Sequence, residues 1–502
     1  MSKDKFYITT SILYSNAKPH IGFALELLQA DVIARWQRLQ GKDVYFLTGT
    51  DEHGVKVYDK AIENSKAPQA WVDEVAESVK LLISKLTISN TDFIRTTDQA
   101  RHWPTAQKVW MKLASRGDIE LGHYSGYYCV NDEAYITKTE AESEEFKNKK
   151  VIQLEEDNYM FKLSRYQDQL IRELERPDFI VPSHRAKEMI NFAKTGLTDI
   201  SFSRPKEKLS WGVPVPNDDS QVMYVWCDAL TNYISAIGYA DNSTQFKKYW
   251  PADIHVIGKD ILRFHSLFWP AMLTGIGEAM PKQILVHGHI LSDGQKMSKS
   301  LGNVVDPIGL IDQWGVDAVR YYLLREIPTL GDGDYSDIRF KEAYNSGLAN
   351  DLGNLLSRVL KLAGGVVPSP TLIHDEINSD ALYLTIREKM SSLNLDQVLE
   401  GLWIFINQLN KYVDSTKPWE LAKINSPKLG DVLYPLLENL RHISIALYPF
   451  LPTTSDRIRS QLGLSPIDPD NFDYITETRW GGLLEGHKLG VSEILFPKQE
   501  GK

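Results

Sequence analysis

Two short segments carry residue types suited to handling phosphate. The first is Lys18-Pro19-His20-Ile21-Gly22. Proline presets the backbone for entry into a helix, and glycine lets a ligand come close to the main chain. A helix N-terminus offers unpaired N–H groups and the positive end of the dipole, so a histidine there faces a place that favours phosphate. Taken alone, the pattern reads more simply as a capping histidine in an ordinary turn. The second segment is Lys296-Met297-Ser298-Lys299-Ser300, which follows Gly294. Two lysines around a serine suit the charge that builds on a triphosphate during displacement. Taken alone, a short Lys/Ser run is a solvated basic loop.

The surrounding elements place both segments. Phe6-Tyr7-Ile8-Thr9 reads as a buried strand, followed by a Ser/Asn/Pro-containing loop. A helix is expected from Ile21 to Gln40, because Leu25, Leu28, Val32, Trp36 and Leu39 step by three or four. Gly41 ends it, and Val44 to Leu47 reads as the next strand. Strand, helix and strand of this length make a βαβ unit of a parallel sheet, whose carboxyl edge binds ligands. His20 falls at that edge. Residues 116–200 differ, with an exposed polar run from Thr137 to Lys150. The sheet pattern is expected to resume with Val222 to Val225 and Ile254 to Ile257. After Pro328 come amphipathic helical stretches at Leu348–Leu362, Leu382–Leu393, Val398–Val413 and Pro427–Leu447.

A chain of 502 residues calls for two to four domains. Its net charge of −10 counts mildly against a nucleic-acid partner, although a large acidic enzyme can carry one local basic surface. No apolar run approaches the roughly 20 residues that span a bilayer, and the densest, Ile443 to Leu451, is interrupted by Pro449. With no signal or presequence pattern at its start, the chain is expected in the cytoplasm. Cys129 and Cys227 lie far apart and belong to no C-x-x-C pair, so neither a disulfide framework nor a structural zinc site is expected.

What raises both motifs above chance is their pairing, in this order, around an insert-bearing α/β domain. Class I aminoacyl-tRNA synthetases carry an early H-I-G-H and a late K-M-S-K-S. Leu47-Thr48-Gly49-Thr50-Asp51-Glu52-His53-Gly54, Tyr224-Val225-Trp226-Cys227-Asp228-Ala229-Leu230 and Gly258-Lys259-Asp260-Ile261, running on through His265 to Trp269, resemble the methionyl family in particular. The likeness extends from about Phe6 to the tail between Gly490 and Pro497.

The resemblance implies a Rossmann-like parallel-sheet catalytic domain with a small inserted domain, followed by an all-α anticodon-binding domain. The corresponding ranges are 1–115 and 201–285 for the catalytic halves and 116–200 for the insert. A stem-contact region with the lysine loop follows at 286–345, and the helical domain with its tail occupies 346–502. The substrates implied are L-methionine, ATP with Mg²⁺, and tRNA(Met). His20, Lys296 and Lys299 would be catalytic, and His20, Gly22, Gly258, Asp260 and Lys299 would hold ATP, Asp260 through the ribose hydroxyls. Asp51 would hold the α-ammonium. Ile12, Tyr14, Trp226, Leu230, Tyr233, Ile261 and His265 would enclose the methionine side chain; without the family they read as core residues. A thioether wants an apolar, aromatic enclosure with one polar contact, for which Tyr14 and His265 are the candidates. Asn354 and Arg358, four apart on one helix, and Trp419 would read the anticodon, Trp419 by stacking.

The sequence also departs from the family. Phe23 replaces the second histidine of H-I-G-H, and losing one transition-state donor can cost about 3 kcal/mol. Compensation by His20, backbone N–H groups and the lysine loop is expected. The insert lacks the C-x-x-C knuckles of many relatives, so a metal-free insert is expected. It is also too small for an editing domain. Without an extra C-terminal oligonucleotide-binding domain, a monomer is the default. The alternatives are a class I synthetase of other amino-acid specificity and a catalytically silent tRNA-binding descendant.

Overall fold

Alternation along Phe6, Tyr7 and Ile8 already sends neighbouring side chains into different cores, as the period of a strand requires. Phe6 and Ile8 join the cluster that contains Leu25, Val32 and Phe46, while Tyr7 joins Tyr45, Tyr233 and Trp269 on the opposite face. The structure, a computed structural model, describes residues 3–130, 134–136, 138–144, 146–297, 303–370 and 379–499. Its main sheet is parallel. It runs Asp92–Arg95, Asp43–Asp51, Lys5–Thr10, Ile254–Gly258, Gln283–His287, Ile180–Val181, with Leu13–Tyr14 added alongside Thr50 and Asp51. Ile8 sits between Phe46 and Ile254, so the first strand is central and buried from Phe6 onward.

The helix Ile21–Leu39 crosses this sheet. Its sequence suggests one apolar face, yet it is buried almost all round, including Glu26, Gln29 and Asp31. Buried polar groups need partners, and Asp31 finds several. It accepts from Arg35 and Arg320, both at 2.8 Å, and from the Ser89 N–H at 2.7 Å. Arg320, fully buried, also donates to the carbonyls of Phe450 and Leu86, at 2.6 and 3.0 Å. These bonds lock the helix that begins at His20 to the C-terminal helical region.

Within residues 116–200, Ile119–Cys129 pairs with Ala134–Ile136 and Val151–Phe161, and Ile200–Ser201 completes an antiparallel sheet. Ile180–Val181 lies between these in sequence but joins the parallel sheet. Val222 to Val225 departs from its expected place in the main sheet. Asp218–Met223 pairs with Ser203–Pro205 and Pro214–Val215 in a small antiparallel sheet, and Val225 opens a helix, Val225–Ala229. A short apolar run cannot announce which sheet it will join.

Beyond the main sheet, Ile290–Ser292 pairs antiparallel with Gln295–Lys296 and parallel with Gly333–Tyr335. Helices then dominate, among them Asn354–Ala363, Asp380–Ser391, Leu395–Thr416 and Leu429–Leu447. Among the described residues no helix is long and apolar enough to cross a membrane.

Candidate active site

The loop after the first strand delivers His20 to the N-cap of Ile21–Leu39. Its Nδ1 accepts from the Gly22 N–H at 3.1 Å, so the ring caps the helix. A Cβ on Gly22 would meet that ring at 3.0 Å, which explains glycine there. The residue is exposed, yet desolvation lowers its pKa against the pull of Asp260 and Glu26. Phe23 turns the other way, 5% exposed within the main apolar cluster.

One turn further, Glu26 is buried and accepts from the Ser11 N–H and hydroxyl, at 2.7 and 2.6 Å. His287, at the end of its strand, meets the same carboxylate at 3.0 Å through Nε2. Burial alone would lower the His287 pKa; the Glu26 bond and charge outweigh it, and the pKa is raised. These bonds fasten the loop, the helix and two strand ends beneath His20.

The predicted pocket residues converge beside this edge. Asp51 ends its strand in register with Tyr14, buried, and its carbonyl accepts from the Ser15 N–H at 2.8 Å. Tyr14 and Trp226 pack on a shared cluster with Tyr135 and Tyr224. Ile12, Trp226 and Ile261 cover the core that holds Leu230 and Tyr233. The Trp226 ring stacks on Phe264 at 3.7 Å between centroids and stands edge-on to His265. His265 Nδ1 lies 2.9 Å from the Ile261 carbonyl, which only a protonated nitrogen can satisfy, so Nε2 accepts from the Tyr233 hydroxyl at 2.7 Å. Burial pushes the His265 pKa down to about 4, so the ring is neutral.

Gly258 closes the strand Ile254–Gly258, and Asp260 follows in a short turn, exposed and bonded to His289. Lys296 ends the strand Gln295–Lys296 opposite Leu291. Lys299, with Ser298 and Ser300, lies outside the described residues. Among the described residues no group of three His, Cys, Asp or Glu side chains could hold a metal ion. In the helical region Asn354 and Arg358 share one helix; Asn354 is exposed, and Arg358 donates to Asn410 at 2.7 Å and Asp414 at 3.0 Å. Trp419, 37% exposed, stands at the start of Pro418–Lys423, which packs against that helix.

Residues 6–145 and 139–360 match the family model for tRNA synthetases class I (M). The chain is similar to the methionine–tRNA ligase of Caldanaerobacter subterraneus subsp. tengcongensis, at 44% identity covering 99% of this chain and 79% of that relative. It is 40% identical to the methionine–tRNA ligase of Brucella suis biovar 1, with 99% of this chain and 98% of the relative covered. A solved structure, Mycobacterium tuberculosis methionyl-tRNA synthetase in complex with methionyl-adenylate, matches with a TM-score of 0.92 at 38% identity. That match covers 98% of this chain and 100% of the other. The chain belongs to the class I methionyl-tRNA synthetase family.

For a member of the methionyl-tRNA synthetase family, sequence reasoning missed a supporting layer. Asp228 is wholly buried between His53 Nδ1 and His102 Nε2, both at 2.6 Å. Burial would raise its pKa, but the two imidazoles hold it down, at about 2. His102 Nδ1 continues to the Ser235 hydroxyl at 2.9 Å. The network anchors the helix carrying Trp226 against the strand end carrying Asp51. Asp228 belongs to the segment Tyr224 to Leu230, but nothing near it in sequence points to His102. Glu26 and His287 gave no signal either, since a lone Glu on an apolar helix reads as exposed.

Proposed function

We propose that this chain charges tRNA(Met) with methionine in two steps. The methionine carboxylate attacks the α-phosphorus of ATP, forming methionyl-adenylate and releasing pyrophosphate. A hydroxyl of the tRNA 3′-terminal adenosine, the 2′ one in class I enzymes, then attacks the adenylate carbonyl, and AMP leaves. No covalent enzyme intermediate is required; positioning and preorganised charge carry the rate.

The observation that carries this reading is the enclosure of Trp226, Tyr233 and His265 beside the buried carboxylate Asp51, at the sheet edge where His20 caps its helix. In this reading Ile12, Tyr14, Leu230 and Ile261 complete an apolar wall for the thioether, and Asp51 takes the α-ammonium. His20, Gly22 and Gly258 border the nucleotide, Asp260 holds its ribose hydroxyls, and Lys296 and Lys299 steady the departing pyrophosphate. Mg²⁺ enters with the triphosphate, whose oxygens suit it better than a dedicated protein cage.

Asn354, Arg358 and Trp419 form the anticodon surface of this reading: Trp419 offers a stacking face and Arg358 a donor fork already braced by Asp414. The insert works without zinc, since Cys129 packs with Ile136 and Phe146 in an apolar cluster. The enzyme acts as a cytoplasmic monomer, and light scattering reads its mass. Pyrophosphate exchange measured side by side with methionine, leucine, isoleucine and cysteine, followed by aminoacylation of tRNA(Met), tests the whole. Exchange with methionine alone is expected; its complete absence overturns the assignment.

A further inference from the structure

Next to His20 lies a closed ring of four charged or titratable side chains that the two signature motifs do not include. Lys259 donates to both carboxylate oxygens of Asp332 at 2.7 Å. Asp332 accepts from the backbone N–H of His289 at 2.8 Å. The His289 imidazole, through Nε2, bonds the Asp260 carboxylate, and Asp260 follows Lys259 in the chain.

The ring rests on a stiff foundation. The Gly333 N–H donates to the His289 carbonyl at 2.9 Å. Gly288 is packed so closely on the neighbouring loop that a Cβ there would lie 2.2 Å from the Gly331 carbonyl oxygen. The strand Ile290–Ser292, which begins right after His289, pairs with both Gly333–Tyr335 and Gln295–Lys296. His289 therefore stands at the root of the hairpin that leads to the lysine loop, and it reaches back to the turn after the neighbouring parallel strand.

An isolated surface ion pair would carry little weight. Here the backbone of His289 is held on two sides, while the Asp260 side chain stays 64% exposed and that of His289 30% exposed. A carboxylate oriented by a fixed donor and reachable from solvent is the arrangement that accepts two adjacent hydroxyls. Free Asp rotamers would have to be ordered on each binding event, and a fixed donor removes that cost.

We infer that His289 is a positioning residue, orienting Asp260 to receive the vicinal ribose hydroxyls of the nucleotide. The inference rests on the proposed role of Asp260 in ATP binding. It also assigns a function to a histidine from outside the N-terminal signature, in a chain whose Phe23 cannot donate.

The test compares ATP with 2′-deoxyATP and 3′-deoxyATP in methionine-dependent pyrophosphate exchange by the full chain, wild type and two variants. His289→Phe keeps a ring but removes the donor; His289→Gln keeps a donor. Wild type is expected to prefer ATP over each deoxy analogue. His289→Phe should raise KM for ATP by about tenfold, leave KM for methionine within twofold, and shrink the preference for ATP over the analogues. His289→Gln should restore most of that preference. The inference is overturned if His289→Phe discriminates as wild type does, or if His289→Gln behaves like His289→Phe. Absence of exchange by the wild type would count against the assigned reaction instead, and loss of exchange by both variants with intact folding would assign His289 to the chemistry and overturn a positioning role.

Discussion

The Tyr233 hydroxyl donates to Nε2 of His265 at 2.7 Å, while Nδ1–H of the same ring is committed to the Ile261 carbonyl at 2.9 Å. Both nitrogens of a buried imidazole are thus satisfied, and its tautomer is decided by the backbone. Tyr233→Phe leaves one buried acceptor without its donor, which costs about 1–3 kcal/mol. Calorimetry should show a lowered unfolding temperature, and KM for methionine should rise while KM for ATP changes little. An unchanged KM for methionine would remove Tyr233 from the pocket.

The same ring predicts a pH dependence. His265 titrates near 4 when folded, against 6.5 for an unperturbed histidine. As pH falls, the unfolded chain takes up the proton first, so unfolding is favoured. The contribution of this residue to stability is complete above about 6.5 and is lost progressively down to about 4. Unfolding temperatures measured from pH 7.5 to 5 should fall less steeply for His265→Gln than for the wild type.

Phe23 stands where the family carries a histidine, yet its ring lies buried in the apolar cluster. Phe23→His is therefore expected to lose stability, by about 1–3 kcal/mol if the imidazole finds no partner. It should not accelerate pyrophosphate exchange. A gain of tenfold or more would mean that the helix can turn this side chain toward the nucleotide.

Asp228→Ala removes the one carboxylate that both His53 and His102 bond. Breaking such a buried group costs about 3–5 kcal/mol. The expected result is a large fall in unfolding temperature, with a smaller one for Asp228→Asn, which keeps the shape and one acceptor. Equal, small losses from both variants would show that the network does little to hold the Trp226 helix.

Trp419→Ala should raise KM for tRNA by about tenfold or more, the loss expected from one base–aromatic stack. Pyrophosphate exchange without tRNA should stay within about twofold of wild type. Arg358→Ala should act in the same direction. A parallel fall in exchange would instead point to damage transmitted through the Asp31–Arg320 junction.

Much of the fold was legible. The helix after His20, the strands around Phe6 and Val44 and the later helices follow from local periodicity, because a side chain's facing repeats every 3.6 or two residues. The limit shows at Val222–Met223, whose apolar character fits either sheet, and at Ile21–Leu39, which reads as one-faced but is enclosed by the helical region as well as the sheet. Enclosure by a distant part of the chain leaves no periodic trace.

The sequence by itself determined the family, the order of the two phosphate-suited segments, and the residue types of the pocket and of the helical region. The tertiary structure alone decided which polar groups would meet. Glu26 meets His287 across 261 positions, His102 meets Asp228 across 126, and His289 meets Asp260 across 29. The reason is physical: local pattern dictates which way a side chain faces, whereas a hydrogen bond depends on where the sheet and its connections carry two separate elements. Only packing brings those elements within 3 Å.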